Sequence, residues 1–407
     1  MVSSTIDHMV AVTVFLAATL LFIGLFNQTI STAVTYQRHR ALATKASDLL
    51  DGMLLSPGIP VNWGQTDTTP TGFGIQDPEF TQYQISSFSL MRLAYQAGTP
   101  VYYYKTGLYY NNITVGDKNF LLVSNNYTID YSTASKLLGI NNTYGFQLSL
   151  TPIVNVKVTE DPAHAASPLR LLLDVQGTGF PLANAEISYC LMIVSLNGGT
   201  YPTFDTIYGT ANTDKQGSAT LSFNQVTDSD TSYAFIAYAH LGGLVGVGYC
   251  ERVSLEEEYV VPLIDSLSDG RVLIAHNYDI LSSDPPSAEV KYNASFVFLS
   301  EDYTFREMPL DNSAGHVNSG NGFPYESLNI PLDNPGILLI TYKKNANEGG
   351  IVMMPWGVSS LSFPIVFGGD PSQQEWVATD MRQITVGGIA YQAKLALWSL
   401  EGYQVNG

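Results

Sequence analysis

Charge is scarce in this 407-residue chain: Asp, Glu, Lys and Arg together make up 13%, about half the roughly 25% usual in soluble domains. A surface so short of charge has to be covered by Ser, Thr, Asn, Gln, Gly and the 25 tyrosines. That covering suits secreted and surface-layer proteins better than cytosolic enzymes. Cations are the scarcer sign, at 18 Lys and Arg against 36 Asp and Glu. Three of each (Arg38, Arg40, Lys45; Asp7, Asp48, Asp51) lie in the first 58 residues, which leaves 15 basic against 33 acidic in the rest. So acidic a body repels phosphate backbones, which excludes nucleic acid as a partner.

Residues that carry chemistry are also few. The six histidines (His8, His39, His164, His240, His276, His316) are scattered, with no helical i, i+4 pair to hold a metal. His240 lies in an apolar strand, where a hydrogen-bonded structural histidine is the expectation. There is no P-loop, no serine elbow, no His-Glu-x-x-His and no Cys-x-x-Cys, so neither catalysis nor a cofactor is expected. Asp228 and Asp230 in TDSDTS could contribute to a Ca²⁺ site, but the Gly and Glu of an EF-hand are missing and a solvated turn is the expectation. GLVGVG at 243–248 is flanked by strands and opens no helix that could hold a phosphate. It reads as a strand under close backbone contact. An acid hydrolase working through two carboxylates leaves no local motif, so a membrane-tethered extracellular hydrolase or ligand-binding subunit stands as a remote alternative.

Only two cysteines occur, Cys190 and Cys250, both in segments that read as strands. In an exported protein they predict one disulfide, with two buried thiols as the alternative.

Between Asp7 and Arg38 there is no charged side chain, and Met9–Phe26 reads MVAVTVFLAATLLFIGLF. Eighteen such residues cross most of a ~30 Å hydrocarbon layer. A cleaved secretory signal would start with Lys or Arg and have a shorter apolar core; this one starts MVSSTIDH. A retained single-pass anchor is the expectation, with membrane lipid along residues 9–37. Residues 27–55 lack proline, and Leu42, Ala46, Leu49 and Met53 recur at i, i+4, i+7 and i+11, on one helical face. Ser56-Pro57-Gly58 then supplies a stop. The pattern predicts one helix of about fifty residues, half in lipid and half docked on protein. This outline resembles the type IV pilin family, including archaeal pilin-like surface proteins, in which a long N-terminal helix anchors the subunit and carries a β-rich head. The resemblance implies that Asp7 is the carboxylate such subunits place near their mature N-terminus, and that the chain self-associates into a filament or meets other surface proteins. No basic residue followed by Gly precedes the apolar run, so the leader-peptidase site of that family is missing.

Lys and Arg flank the span only on its C-terminal side, which by the positive-inside rule points that side to the cytoplasm. The paired cysteines and the sequons at Asn112, Asn126, Asn141 and Asn293 point the other way, and the expectation is a cell-membrane protein with its bulk outside.

The body divides into a connector and β-rich region at 59–150, a β-sandwich at 151–257 and a further β-rich domain at 258–407. Phe146, Leu148 and Leu150, then Val154, Val156 and Val158, alternate on either side of Pro152, the period of half-buried strands. A tyrosine run, VYYYKTGLYYNNITV, precedes them and reads as sheet packing, with carbohydrate contact as the alternative. In the sandwich, GFPLANAEI and TANTDKQGSATLSF, with Thr213, Asp214 and Gly217 in the turn, resemble the Ig-like repeats of bacterial surface proteins and carboxypeptidase-regulatory-like domains. That likeness implies a spacer or presentation module. Near the C-terminus, QITVGGIAYQAKLALWSL predicts a hairpin turning at Gly387-Gly388. Taken together, the fold class is mainly β with one long N-terminal transmembrane helix. The function expected is a membrane-anchored surface protein with a structural or adhesive role; the alternative is a pilin-like filament subunit.

Overall fold

The computed structural model describes residues 2–79, 82–93, 100–115, 118–124, 126–196, 199–253, 260–281, 286–300, 304–320, 325–331, 335–357 and 364–400. The chain opens with α1 (Val2–Leu54), a single helix of 53 residues, about 80 Å long at 1.5 Å per residue. A β-rich head follows. It starts with β1 (Gln84–Ile85), α2 (Ser87–Met91), β2 (Val101–Tyr103), β3 (Leu108–Val115), β4 (Lys118–Ser124) and α3 (Tyr131–Leu137). Next come β5 (Tyr144–Pro152), β6 (Asn155–Glu160), β7 (Leu169–Gln176), β8 (Glu186–Ser195), β9 (Thr203–Asn212), β10 (Ser218–Phe223), β11 (Tyr233–Leu241) and β12 (Leu244–Arg252). The last part runs β13 (Val260–Ser266), β14 (Arg271–His276), α4 (Asn277–Leu281), β15 (Glu289–Leu299), β16 (Phe305–Met308), β17 (Ala314–Asn318), β18 (Tyr325–Asn329), β19 (Gly336–Lys343), β20 (Gly349–Trp356), β21 (Ile365–Gly368), β22 (Ala378–Val386) and β23 (Ile389–Ser399).

The middle of the head is a β-sandwich. One sheet is ordered β10-β7-β6 and the other β12-β11-β8-β9. Between them lies a core of Leu171, Leu173, Ile187, Leu191, Phe223 and Phe235 among others. Thr213 ties its two motifs together: its hydroxyl donates to the Leu182 carbonyl (2.6 Å) and accepts from the Ala185 amide (2.8 Å). Asp214 accepts the amides of Gln216 and Ser218 while Gly217 takes φ +76°, which turns the chain into β10.

The β12-β11-β8-β9 sheet is covered on its other face as well. Alternate residues of β8 and β11 (Cys190, Met192, Val194; Ala234, Ile236, Tyr238) belong to a second, larger core shared with the C-terminal strands and the end of α1. β11 is therefore buried along most of its length, which explains its uninterrupted apolar reading, YAFIAYA. Pro152 marks the passage between the cores: Phe146, Leu148 and Leu150 on β5 face the large one, Val154 and Val156 the sandwich. Gly246 and Gly248 of β12 lie against β6, where a Cβ on either would come 2.6 Å from the Val154 or Val156 carbonyl. That close approach is the reason for glycine in GLVGVG.

This geometry overturns the expected disulfide. Cys190 pairs across to Ile236 and Cys250 to Phe235, so β11 stands between the two cysteine strands. Successive residues of a strand point to opposite faces, and two strand spacings separate β8 from β12 by roughly 9.6 Å. A disulfide needs Cα atoms within about 7 Å and converging Cβ atoms. Neither cysteine is in a disulfide, and burial pushes the Cys190 thiol up to about 12.

The remaining sheets are β18-β14-β13-β4-β3-β2, a sheet containing β16-β15-β19-β20 with β17 alongside β15, and β1-β22-β23-β5-β21. In the last, β22 and β23 form a hairpin with Val386 opposite Ile389, and Gly387 and Gly388 both take positive φ, as the two-residue turn requires. The α1 helix lies on β22 and β23.

Candidate functional site: the N-terminal helix and its junction with the head

The helix stays unbroken because no proline interrupts it before Pro57 and its polar residues serve it. The hydroxyls of Thr13, Thr19, Thr29 and Thr32 each donate to the carbonyl four residues back, at 2.8–2.9 Å. A threonine satisfied in this way can sit among apolar side chains without a stranded polar group.

From Met9 to Phe26, twelve large apolar side chains are exposed, distributed around the whole circumference; Phe15, Leu20, Leu21 and Phe22 are each 69–70% exposed. Covering such a side chain is worth about 1.5–3 kcal/mol. The twelve together amount to roughly 20–35 kcal/mol, more than the 5–15 kcal/mol net stability of an ordinary domain. This segment needs an apolar covering, and it is long and apolar enough to cross a membrane.

The second half of the helix is covered by the head. Leu42, Ala46, Leu49 and Met53 are buried, and so are Leu50 and Leu54 on the flank of that stripe. Polar contacts frame the apolar seam. Arg382 of β22 donates from Nε and Nη2 to the two Asp51 carboxylate oxygens (2.9 and 3.0 Å), and also reaches Ser47 Oγ (3.0 Å) and Asp380 (2.9 Å). The bond to Asp51, with Tyr83 and Asp380 adding to it, raises the Arg382 pKa against the lowering effect of burial. At the seam's outer end, the His39 imidazole stacks on Trp376 with ring centroids 3.6 Å apart. At the inner end, the Met53 and Ser56 carbonyls accept the Ile75 and Gln76 amides (2.9 and 3.0 Å), which satisfies groups a helix end leaves open.

Sequence reasoning finds the stripe through its helical spacing and misses Arg382 and Trp376, more than 300 residues away with no local mark of their role. The connector at 59–79 is more firmly held than its Pro/Gly/Thr content suggests. Buried Arg92 donates to the carbonyls of Trp63, Thr66, Thr68 and Tyr127, and its pKa is lowered by burial to about 10.

The other sequence candidates lie apart from this junction. Asp7 is exposed near the start of α1. Asn126 and Asn141 are exposed, whereas Asn293 is half-buried in β15 between β17 and β19; the side chain of Asn112 lies outside the described residues. Asp228 accepts the Asp230 amide (2.9 Å) in an exposed turn, and among the described residues no group of three or more His, Cys, Asp or Glu is placed to hold a metal.

No family model matches the chain, and no curated protein does. Among solved structures it is similar to trypsin-activated alpha-2-macroglobulin from Escherichia coli, at TM-score 0.21 and 11% identity over 57% of this chain and 18% of that one. It is also similar to the D0-D1 domain of intimin (TM-score 0.20, 15% identity, 51% of this chain and 98% of that one) and to red sea bream transglutaminase (TM-score 0.19, 11% identity, 61% and 37%). The matched part thus spans less than a fifth of the macroglobulin. Similarity this slight carries no argument about function, and the β-sandwich assignment rests on the strand pairing itself.

Proposed function

We propose that this chain is a membrane-anchored surface protein: α1 holds it in the bilayer through residues 9–37, and the β-rich head is displayed outside in a structural or adhesive role rather than a catalytic one. The observation that carries this reading is the division of α1, apolar and exposed all round from Met9 to Phe26 yet buried against β22 and β23 from Leu42 to Leu54. Lipid supplies the covering that the first part needs, and the docked part makes the head a rigid continuation of the anchor. The head's low charge and acidic balance suit an exposed surface with no affinity for nucleic acid.

Fractionation of cells making the full chain tests the anchor. The protein should resist carbonate extraction and need detergent to dissolve, while a Leu20→Arg, Phe22→Arg double variant should become extractable. External protease on intact cells should degrade the head; protection until lysis would overturn the outward orientation. Filaments seen by electron microscopy in cell-surface preparations would assign the covering of α1 to neighbouring copies instead of lipid, and would favour a pilin-like subunit.

A further inference from the structure

The fold divides the tyrosine run of β2 and β3 into two sets. Tyr103 and Tyr110 point inward and are fully buried, packed with Leu263, Leu273 and Ala275. Tyr103 meets Tyr325 of β18 edge-on, with ring centroids 6.2 Å apart, and the Tyr110 hydroxyl bonds Thr106 (3.4 Å). Packing within the sheet accounts for these two. It does not account for Tyr102, Tyr104 and Tyr109, which alternation puts on the other face. Tyr102 stands opposite Tyr109, and the same face runs on through Asn111 and Val123 to Ile264. Val123 and Ile264 belong to the large core. Asn111, next along, is buried and donates to the Thr128 hydroxyl. There the core ends, and the face overhangs it with three tyrosines.

These three rings form one cluster. The Tyr102 centroid lies 4.8 Å from that of Tyr104, the planes at 85°, and 4.8 Å from that of Tyr109, the planes at 50°. Tyr102 is half-buried, whereas Tyr104 and Tyr109 are 53% and 54% exposed. Each ring is held by a neighbour, so a ligand has few rotamers left to order. Their hydroxyls make no hydrogen bond among the described residues, and Lys105 is the only charged side chain between Val101 and Val115. Ring faces beside unused hydroxyls, with little charge, complement a sugar. Its C–H bonds meet the electron-rich face of a ring, and its hydroxyls meet the phenols. Nucleobases also stack on such rings, but the acidic head repels their phosphates. A lipid tail offers the phenols no partner.

We infer that the overhanging face of Tyr102, Tyr104 and Tyr109 is a binding site for neutral carbohydrate, with Tyr104 and Tyr109 contacting the sugar and Tyr102 bracing both. This rests on the adhesive reading above and gives the head a target. Three rings in contact offer themselves to neighbouring units of a chain, so an oligosaccharide binds more tightly than its monosaccharide.

The test titrates the full chain, held in phosphatidylcholine nanodiscs that carry no sugar headgroup, with hexasaccharides of β-glucan, mannan and chitin, read by calorimetry. At least one should bind with a Kd below about 1 mM, and its monosaccharide more weakly. Removing the outer rings in Tyr104→Ala, Tyr109→Ala should weaken binding at least about five-fold, with the head's unfolding midpoint unchanged. Tyr104→Ala alone carries the test if the pair lowers that midpoint. Tyr104→Phe, Tyr109→Phe should lose less, since the ring faces stay. Tyr208→Ala, at a tyrosine of β9 that is 50% exposed, should change nothing. Binding by none of the three hexasaccharides, or undiminished binding by the alanine variants, overturns the inference. So does a dimer of heads that the same variants dissociate, because the occupant is then a second copy. Heads on nanodiscs are open to solution whichever way the chain faces in a cell. The titration can therefore fail while the protease test upholds outward display, or succeed while that test refutes it.

Discussion

The two halves of α1 share one backbone and differ in what covers them. Before Arg38 the helix has no preferred side: apolar residues face every direction, and no single protein surface could satisfy them. After Arg38 it is sided, with Leu42, Ala46, Leu49, Leu50, Met53 and Leu54 inward and Arg40, Thr44, Lys45 and Asp48 along the opposite face. Apolar patterning around a helix thus reports the geometry of its environment, an all-round solvent in one case and a flat sheet in the other.

The sharpest way to break that contrast is one substitution made in both halves. Met53→Asp places a carboxylate in the large core at a position with no exposure. It should destabilise the head by about 4 kcal/mol or more, read by denaturant unfolding in detergent. Leu20→Asp should leave the head's unfolding midpoint unchanged and weaken membrane retention instead. If both variants lowered the midpoint alike, the halves would not be independent.

Acid separates them next. His276 is fully buried at the junction of β14 and α4, where its Nδ1 accepts the Tyr278 amide (3.2 Å), and burial lowers its pKa to about 4 from 6.5. Between those values the unfolded chain binds a proton that the folded head refuses. The stability that neutral His276 confers is complete above pH 6.5 and lost as pH falls toward 4, about 3 kcal/mol in all. Burial raises the pKa of nearby Asp279, which works in the opposite sense, its contribution being lost as pH rises. The difference in stability between the unaltered chain and His276→Asn isolates the imidazole, and should shrink by about 3 kcal/mol from pH 7 to pH 4. The span holds no carboxylate, imidazole or basic group between His8 and Arg38, so its helicity in vesicles should be flat over the same range. A flat difference between the two head proteins would refute the role given to His276.

What could be read from residues alone follows the same division between local and distant causes. The helix, its docking stripe, the Gly387-Gly388 hairpin and the turn at Thr213–Gly217 are written in spacing and turn chemistry within a few positions. The glycines of β12 signalled close packing, though not that β6 lies on them. Cys190 and Cys250 misled because cysteine count carries no information about strand order: both sit on strands of one sheet, but β11 separates them and they face opposite cores. Arg92 was equally silent. Its four carbonyl partners come from two separate loops, and only the folded chain brings them to one guanidinium.

The smallest effect tests the most distant contact. Arg382 holds Asp51 from across 331 positions of chain through two nearly equal bonds, the paired geometry of guanidinium and carboxylate. Its removal takes charge-assisted bonds from a seam whose apolar stripe remains, so Arg382→Ala should cost about 2 kcal/mol, less than Met53→Asp. Lysine keeps the charge but not the planar fork, and Arg382→Lys should recover less than half of that loss. The location of the change matters more than its size. Amide exchange should quicken between Leu42 and Leu54, where the seam opens, and stay as slow as before between Met9 and Phe26 in vesicles, since lipid there owes nothing to β22. Exchange that quickened equally in both segments would mean that the helix is held as one body by the head, and that the contrast between its halves is one of surface only.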